Sequence, residues 1–211
     1  MCNLEFLIKG VDAMMRRVLP GLLILLLCTF PLQAEAGVPL DTVKGHVNNV
    51  LDVLRDPALQ DEGKKETKEK KIESIADQLF DYIALSKLTL GRSWKEFNKE
   101  QQKEFVSLYR SILEKAYMDK ILSYTDEQVL FDKEMMLSDN KAEVQTRIIT
   151  KSAEIPINYR VYLKDGQWRV YDVIIEGISL IKNYRTQFRE ILVNNPPEEV
   201  LKILREKTGE A

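Results

Sequence analysis

The chain has 211 residues, with 31 lysines and arginines against 33 aspartates and glutamates, so its formal net charge is −2. This balance excludes the broad basic surface typical of nucleic-acid binding, and it offers no strong attraction to an anionic membrane surface. Two cysteines and one histidine also leave too few side chains for a Cys/His metal site.

The first 36 residues have the order of a secretory signal peptide. Two arginines precede an apolar run at 18–30, and a small-residue Ala-Glu-Ala site at 34–36 follows it. The apolar run contains 13 residues, which is too short to span a bilayer. We therefore predict that residues 1–36 are cleaved before Gly37, that the mature protein is exported, and that residues 37–211 form a single domain.

Two features of this segment leave alternatives open. Cys2 and Cys28 are removed with it, so the mature protein has no disulfide and no thiol nucleophile. Cys28 is also a candidate lipoprotein acylation site, although a leucine precedes it where a small residue is expected. The stretch before Met14 is long for a charged leader and contains acidic residues, so the start site is Met1, Met14 or Met15.

Amphipathic helices are predicted over residues 40–125. Apolar residues recur at spacings of three and four along 40–54 and along 72–83, which is typical of a helix with one buried face. A third and longer helix follows Ser93, a good N-cap residue, with Glu96 at the capping-box position. Each helix would bury one apolar stripe and leave its charged side in water.

Between residues 128 and 175 the period changes to two, which predicts strands. The alternating stretches are 129–137, 141–150, 155–163 and 168–175, with turns at 139–140, 152–153 and 165–166. They predict a four-stranded antiparallel meander whose apolar inner face is covered by the amphipathic helices. Gly177 then allows a bend into C-terminal helices at 177–208. The predicted fold class is therefore α+β with a curved sheet.

The register of the sheet follows from the turns if each turn contains two residues. Three apolar rows then lie on the inner face: Leu137, Ala142, Leu163 and Trp168; Met135, Val144, Val161 and Val170; and Phe131, Ile148, Ile157 and Ile174. A polar row lies between them and consists of Lys133, Thr146, Tyr159 and Asp172. Because a buried charge needs a partner, this row is either a satisfied polar seam or a functional site.

Two stretches, LGRSWKEFNKEQQKEF (Leu90–Phe105) and WRVYDVIIEGISLIKNYRTQF (Trp168–Phe188), resemble a known family. Together with the strands between them, they are similar to the periplasmic component of the lipid-asymmetry (Mla) ABC transport system, the toluene-tolerance protein family. The resemblance implies helices packed on a sheet, and a periplasmic carrier that holds phospholipid acyl chains inside without a cofactor. The implied partners are an outer-membrane lipoprotein complex and an inner-membrane ABC transporter with a lipid-binding periplasmic subunit.

The apolar rows and the facing helix stripes, and not the resemblance, select the residues predicted to line the acyl-chain pocket. These residues are Phe105, Leu108, Ile112, Met135, Val144, Ile148, Ile157, Tyr159, Val161, Trp168, Val170, Ile174, Ile181, Tyr184 and Phe188. On this reading the protein has no catalytic residue and no metal ligand.

Two other functions fit the same pattern. Asp172 lies opposite Tyr159 in the predicted register and would serve as the general base of a small-molecule enzyme. The enzyme reading lacks a Ser-His or Cys-His set, because His46 is the one histidine of the chain. A third reading is a chaperone that binds peptide segments in the apolar groove.

Overall fold

The structure is a computed structural model that describes residues 38–124 and 127–209. The predicted signal peptide, both cysteines and the alternative start sites lie outside the described residues. The described part contains six α-helices and one antiparallel sheet of five strands. The predicted α+β fold class is therefore confirmed, and the sheet has one strand more than predicted.

The elements follow one another in simple order. The helices are α1 (Pro39–Arg55), α2 (Lys65–Leu79), α3 (Tyr82–Leu90), α4 (Lys99–Leu122), α5 (Leu180–Leu192) and α6 (Pro197–Thr208). The strands are β1 (Gln128–Ser138), β2 (Lys141–Ile149), β3 (Glu154–Lys164), β4 (Gln167–Ile175) and β5 (Ile178–Ser179). Neighbours in sequence are neighbours in the sheet, and the two-residue β5 is the strand that the alternation does not predict.

The helix predicted over 72–83 is interrupted at Phe80. Phe80 leaves the helical path and forms a parallel bridge with Val170 of β4. The next amide, that of Asp81, donates to the Val170 carbonyl at 2.9 Å. The chain therefore touches the sheet between α2 and α3, and this tertiary contact overrides the local helical pattern.

Asp81 holds this junction together with its side chain. Its carboxylate accepts from the Ala84 amide at 2.9 Å, which caps α3, and from the Lys164 ammonium at 2.6 Å and the Tyr162 hydroxyl. Burial alone would raise the pKa of Asp81, but the hydrogen bonds from Lys164, Tyr162 and Ala84 lower it to about 2. The Asp81 carboxylate thus joins the start of α3 to the C-terminal end of β3.

α4 begins later than predicted. Residues Gly91–Glu96 form a 3-10 helix, and Phe97 is then extended and buried, so the chain has to start a new helix. Asn98 caps α4 by accepting from the Gln101 amide at 2.9 Å, while the Gln101 side chain accepts from the Asn98 amide at 3.0 Å. The predicted cap at Ser93 and Glu96 is therefore wrong.

Replacing Asn98 by Ala should lower the free energy of unfolding by about 1 kcal/mol, because the Gln101 amide loses the side-chain oxygen that caps it. Ser93→Ala is the matched control, since the Ser93 side chain caps no helix. Urea denaturation of the two variants measures the difference. An equal loss in both variants would contradict the assigned cap.

The register between β1 and β2 contains two bulges. Leu137 and Asp132 are each an extra residue in β1, so Glu134 pairs with Val144 and Phe131 pairs with Thr146. The predicted pairs between these strands are therefore wrong. The bulge at Leu137 moves the side chains of residues 133–136 to the face opposite the predicted one. The bulge at Asp132 returns Phe131 and the residues before it to their predicted face.

The register between β2 and β3 is shifted by two residues. The turn contains Lys151 and Ser152, one residue earlier than predicted, because the Thr150 hydroxyl accepts from the amides of Ser152 (3.2 Å) and Ala153 (2.9 Å). Ala142 consequently pairs with Val161, and the predicted partner Leu163 is wrong. A shift by an even number keeps every side chain on its predicted face.

The pairing of β3 with β4 is predicted correctly next to the Asp165-Gly166 turn and wrongly beyond it. Leu163 pairs with Trp168 and Val161 with Val170, as predicted. Tyr171 is then an extra residue. Beyond it every side chain of β4 changes face.

The predicted polar row does not form, because the bulges and the two-residue shift between β2 and β3 separate its four members. Tyr159 pairs with Val173, and Asp172 pairs with Arg160. Thr146 satisfies its hydroxyl within the sheet by donating to the Ile157 carbonyl at 2.7 Å. Lys133 is exposed opposite Gln145 on the other face.

Two groups of apolar side chains form most of the core. The sheet cluster lies between the sheet and α1, and its buried members are Val43, Leu79, Ala142, Val144, Val161, Trp168, Val170, Val173 and Leu180. The helix cluster joins α3, α4, α5 and α6, and its buried members are Leu85, Leu90, Phe97, Phe105, Leu108, Tyr109, Leu113, Ile181, Phe188, Val200, Leu201 and Leu204. Phe80 and Tyr117 pack against both clusters.

Candidate functional site

Tyr159 of β3 lies on the inner face of the sheet, in an incompletely covered apolar region that we call the recess. Its ring packs against the sheet cluster, and its hydroxyl has no hydrogen-bond partner among the residues that the structure describes. Burial raises the pKa of Tyr159 to about 12, yet the side chain remains half-buried and keeps accessible surface. The half-buried Tyr159 ring therefore belongs to apolar surface that the neighbouring elements leave partly accessible.

The recess has apolar walls that are incompletely covered. The sheet cluster has nine partly buried members beside its nine buried ones, and these are Leu40, Val47, Phe80, Tyr117, Phe131, Ile157, Tyr159, Leu163 and Ile175. They come from both sides of the recess, since α1 supplies two of them and the sheet supplies five. Apolar surface that stays accessible inside a domain fits an apolar ligand.

α1 packs on the apolar face of the sheet beside the recess. Val43 is fully buried against the sheet. At the start of α1, the Leu40 amide donates to a carboxylate oxygen of Glu134 at 2.8 Å, which is favourable at a helix N-terminus. Lys44 lies 5.9 Å from the centre of the Phe131 ring. α1 is thus a cover on the apolar face of the sheet.

The helix cluster, by contrast, is filled by its own aromatic rings. Phe105, Tyr109 and Phe188 pack with ring centres 5.3 to 5.6 Å apart, distances typical of well-packed aromatic pairs. The Thr89 hydroxyl donates to the Tyr109 hydroxyl at 3.3 Å. The recess beside Tyr159, and not the helix cluster, is therefore the candidate site for an apolar ligand.

The structure divides the predicted pocket residues into three sets. Those in the sheet cluster are Val144, Ile157, Tyr159, Val161, Trp168 and Val170. Those in the helix cluster are Phe105, Leu108, Ile112, Ile181, Tyr184 and Phe188. Those in neither cluster are Met135, Ile148 and Ile174. The first two sets meet at Phe80 and Tyr117, which the prediction does not include.

The three outliers have identifiable causes. The bulge at Leu137 places Met135 opposite Glu143, and its side chain is 41% exposed. The bulge at Tyr171 places Ile174 opposite Asn158 on the outer face. Ile148 stays on the inner face but pairs with Ile155 near the end of the sheet.

Sequence reasoning missed the α1 side of the recess. Leu40, Val43 and Val47 were available as an apolar stripe at helical spacing, but the predicted pocket drew its helical residues from α4 and α5. Which of several amphipathic helices covers the recess depends on long-range packing that the period does not encode. Phe131 was already in an inner row and could have been included.

Asp172 lies on the outer face and has a structural role. It accepts from the Ser179 hydroxyl at 2.8 Å and from the Ile181 amide at 3.2 Å, at the start of α5. Arg160 lies 3.8 Å away and also donates to Glu143 at 3.1 Å. The predicted pair of Asp172 with Tyr159 is wrong, and the geometry for a base in the recess is lost with it.

The described residues carry neither a metal cluster nor a membrane span. No group of three or more His, Cys, Asp or Glu side chains in 38–124 and 127–209 is placed to hold a metal ion. In the same part of the chain, every helix is too short or too polar to cross a bilayer.

A profile of the MlaC protein family matches residues 44–206. The chain belongs to the MlaC family. The matched stretch contains the whole sheet and all but the ends of α1 and α6, so it includes the sheet side of the recess but not Leu40 and Val43 of α1.

Two curated proteins and one solved structure are similar to the chain. The chain is 25% identical over 117 residues to the intermembrane phospholipid transport system binding protein MlaC of Haemophilus influenzae, covering 52% of this chain and about half (55%) of that protein. It is 24% identical over 176 residues to the toluene tolerance protein ttg2D of Pseudomonas putida, covering 82% of each. A phospholipid-binding protein of Ralstonia solanacearum, solved with a phospholipid, has the same fold, with a TM-score of 0.71, 23% identity, and coverage of 82% of this chain and 97% of that one.

Proposed function

We propose that this MlaC-family protein is a phospholipid carrier that holds acyl chains in the recess between α1 and the sheet. The observation that carries the proposal is the incompletely covered apolar face around Tyr159, whose hydroxyl lacks a partner among the described residues. The names of the Haemophilus influenzae and Ralstonia solanacearum proteins, which refer to phospholipid, support the same ligand class. The bound phospholipid is transported and not consumed, so the protein is not an enzyme.

The energetics of lipid transfer explain why a carrier is needed. Two acyl chains contain about 30 methylenes, and exposing them to water would cost roughly 25 kcal/mol at about 0.8 kcal/mol each. Release into water is therefore too slow to be useful. The carrier has to receive and deliver its lipid while docked to a partner, so that the chains pass directly between apolar surfaces.

The proposed route runs through the periplasm. After cleavage before Gly37, residues 37–211 would shuttle lipid between an outer-membrane lipoprotein complex and an inner-membrane ABC transporter with a lipid-binding periplasmic subunit. The word "intermembrane" in the name of the Haemophilus influenzae relative supports this route. Fractionation of cells, followed by mass measurement of the intact protein, checks both the compartment and the cleavage site.

Purification without detergent, followed by mass spectrometry of an organic extract, tests the proposed ligand. We expect phospholipid at about one molecule or more per protein chain, because release of the acyl chains into water is too costly for the lipid to be lost during purification. Native mass spectrometry of the same sample gives the bound mass. A peptide mass in place of a lipid mass would favour the chaperone reading, and an absence of phospholipid from both measurements would contradict the carrier.

A further inference from the structure

A second cleft, separate from the recess, lies between residues 89–93 and α5. It has a volume of about 570 Å³, within the range of small-molecule sites. The α5 side chains that line it are Arg185, Phe188, Arg189 and Leu192. The two stretches that carry the sequence resemblance meet at this cleft.

The cleft is lined by positive charge with no acidic residue. The guanidinium groups of Arg92 and Arg189 form no hydrogen bond or ion pair with any residue of 38–124 and 127–209, so both are available to a ligand. Arg185 is held in place because its Nε donates to the Leu88 carbonyl at 3.0 Å and its Nη2 donates to the same oxygen. Three arginines in one cleft favour an anion, and their planar groups match phosphate oxygens.

The backbone at Gly91 makes this arrangement possible. Gly91 has φ 58° and ψ −121°, a conformation that side chains strongly disfavour. It reverses the chain after α3, so that Arg92 follows directly at the edge of the cleft. The arginine from the 3-10 helix and those from α5 therefore face the same space.

The inner part of the cleft is apolar. Leu90 and Phe188 belong to the buried helix cluster, and Leu192 packs against it. A free inorganic anion makes no use of such a surface. A phosphate attached to an apolar group satisfies both parts of the cleft, because the phosphate meets the arginines and the apolar group covers the side chains beneath them.

We propose that this cleft binds a phosphate ester, and that its source is the headgroup of a phospholipid. The choice of lipid rests on the proposed carrier function, whereas the arginine cleft does not. Arg92 and Arg189 contact the phosphate, and Arg185, held by the Leu88 carbonyl, completes the positive wall. The cleft thus gives the carrier a headgroup contact on α5 in addition to the recess on the sheet.

The test is the double variant Arg92→Gln and Arg189→Gln, with Lys103→Gln and Lys207→Gln as the matched control. Both pairs remove two charges from exposed side chains without a partner among the described residues, so neither is expected to unfold the protein. The probes are dihexanoyl phosphatidylglycerol kept monomeric, glycerol 3-phosphate and inorganic phosphate. Calorimetric titration gives the Kd, and thermal melting confirms folding.

We expect the arginine variant to bind the short phospholipid about tenfold or more weakly than the wild type, and the lysine variant to bind it as the wild type does. Raising the salt concentration should weaken wild-type binding and leave the arginine variant nearly unchanged. Equal phospholipid binding by the wild type and a folded arginine variant would overturn the proposal. Inorganic phosphate bound as tightly as the phospholipid would assign the cleft to free phosphate and overturn the lipid source.

The phospholipid content of the same preparations separates this proposal from the carrier function. Wild-type protein that carries phospholipid, together with arginine-independent binding of the probe, refutes the headgroup site and leaves the carrier intact. Wild-type protein that carries no phospholipid but binds phosphate esters through Arg92 and Arg189 refutes the carrier and leaves the phosphate site intact.

Discussion

Replacing Ile157 by Trp should lower the phospholipid content of the purified protein about tenfold or more. Ile157 is half-buried on the inner face between Thr146 and Ile175, where the sheet borders the recess. An indole at this position occupies space that acyl chains would use. Each methylene kept out of the recess forfeits about 0.8 kcal/mol, so the loss of two methylene positions already weakens binding about tenfold.

Lys133→Trp is the control for this prediction. It adds the same side chain to the same sheet, but at an exposed position on the opposite face, opposite Gln145. Lipid extraction and quantification by mass spectrometry should find wild-type phospholipid in this variant. The recess would be the wrong site if Ile157→Trp kept its phospholipid, or if both tryptophan variants lost it equally while remaining folded.

Replacing Asp81 by Ala should lower the free energy of unfolding by about 2 to 3 kcal/mol at neutral pH. About 1 kcal/mol comes from the lost cap on α3. The depressed pKa corresponds to at most about 2 kcal/mol, which solvent screening reduces to about 1 because the Lys164 side chain is 45% exposed. The Tyr162 hydroxyl also loses its acceptor.

Asp81→Asn separates the cap from the charge. Asparagine is a good cap residue, so this variant should lose only the charge-dependent part, about 1 kcal/mol. Asp132→Asn is the comparison at an exposed ion pair with Arg147, where a smaller loss is expected. Urea denaturation provides all three values, and a loss at Asp132 as large as that at Asp81→Ala would show that burial of the junction is unimportant.

The difference in unfolding free energy between the wild type and Asp81→Asn should depend on pH. The pKa of Asp81 is about 2 in the folded protein, below its ordinary value of 3.8. The unfolded chain therefore binds the proton first, and the stabilising charge is fully present above about pH 4 and is lost as the pH falls toward 2. The difference in unfolding free energy between wild type and Asp81→Asn should shrink over this range and stay constant from pH 5 to 7.

The hairpins were predictable where local chemistry decides the chain path. Asp165 and Gly166 both have positive φ, as their turn requires, and the strand pairs beside that turn are correct. The alternating pattern also identifies four of the five strands. Each of these features depends on residues that are close in sequence.

The errors occur where distant parts of the chain meet. Tyr171 is an extra residue in β4 that packs against Tyr162 and the helix cluster, and nothing in the alternating pattern indicates that one position is left out of the pairing. Phe80 leaves its helix to join β4 for a similar reason. Bulges and breaks of this kind are determined by tertiary contacts, so counting from turns accumulates an error at each of them.

The inner face of the sheet was predicted better than the helix that covers it. Because the register between β2 and β3 is shifted by an even number of residues, Val144, Ile157 and Tyr159 stay on the inner face despite their wrong partners. The period of a helix, however, shows only that it buries one stripe and not which surface receives it. The assignment of α4 and α5 to the pocket, with α1 left out, follows from that missing information.

The extra residue in β4 also determines which changes in chain length the protein can accept over evolution. Tyr171 lets the first half of β4 supply Val170 to the sheet cluster while the second half supplies Asp172 to the start of α5. Loss of one residue there would move Val173 to the outer face and Asp172 to the inner face. The sheet cluster would then lose an apolar side chain, and the start of α5 would lose its acceptor. A residue gained in the Lys151–Ser152 turn changes neither. Insertions and deletions among relatives should therefore accumulate in the turns, while β4 keeps a constant length.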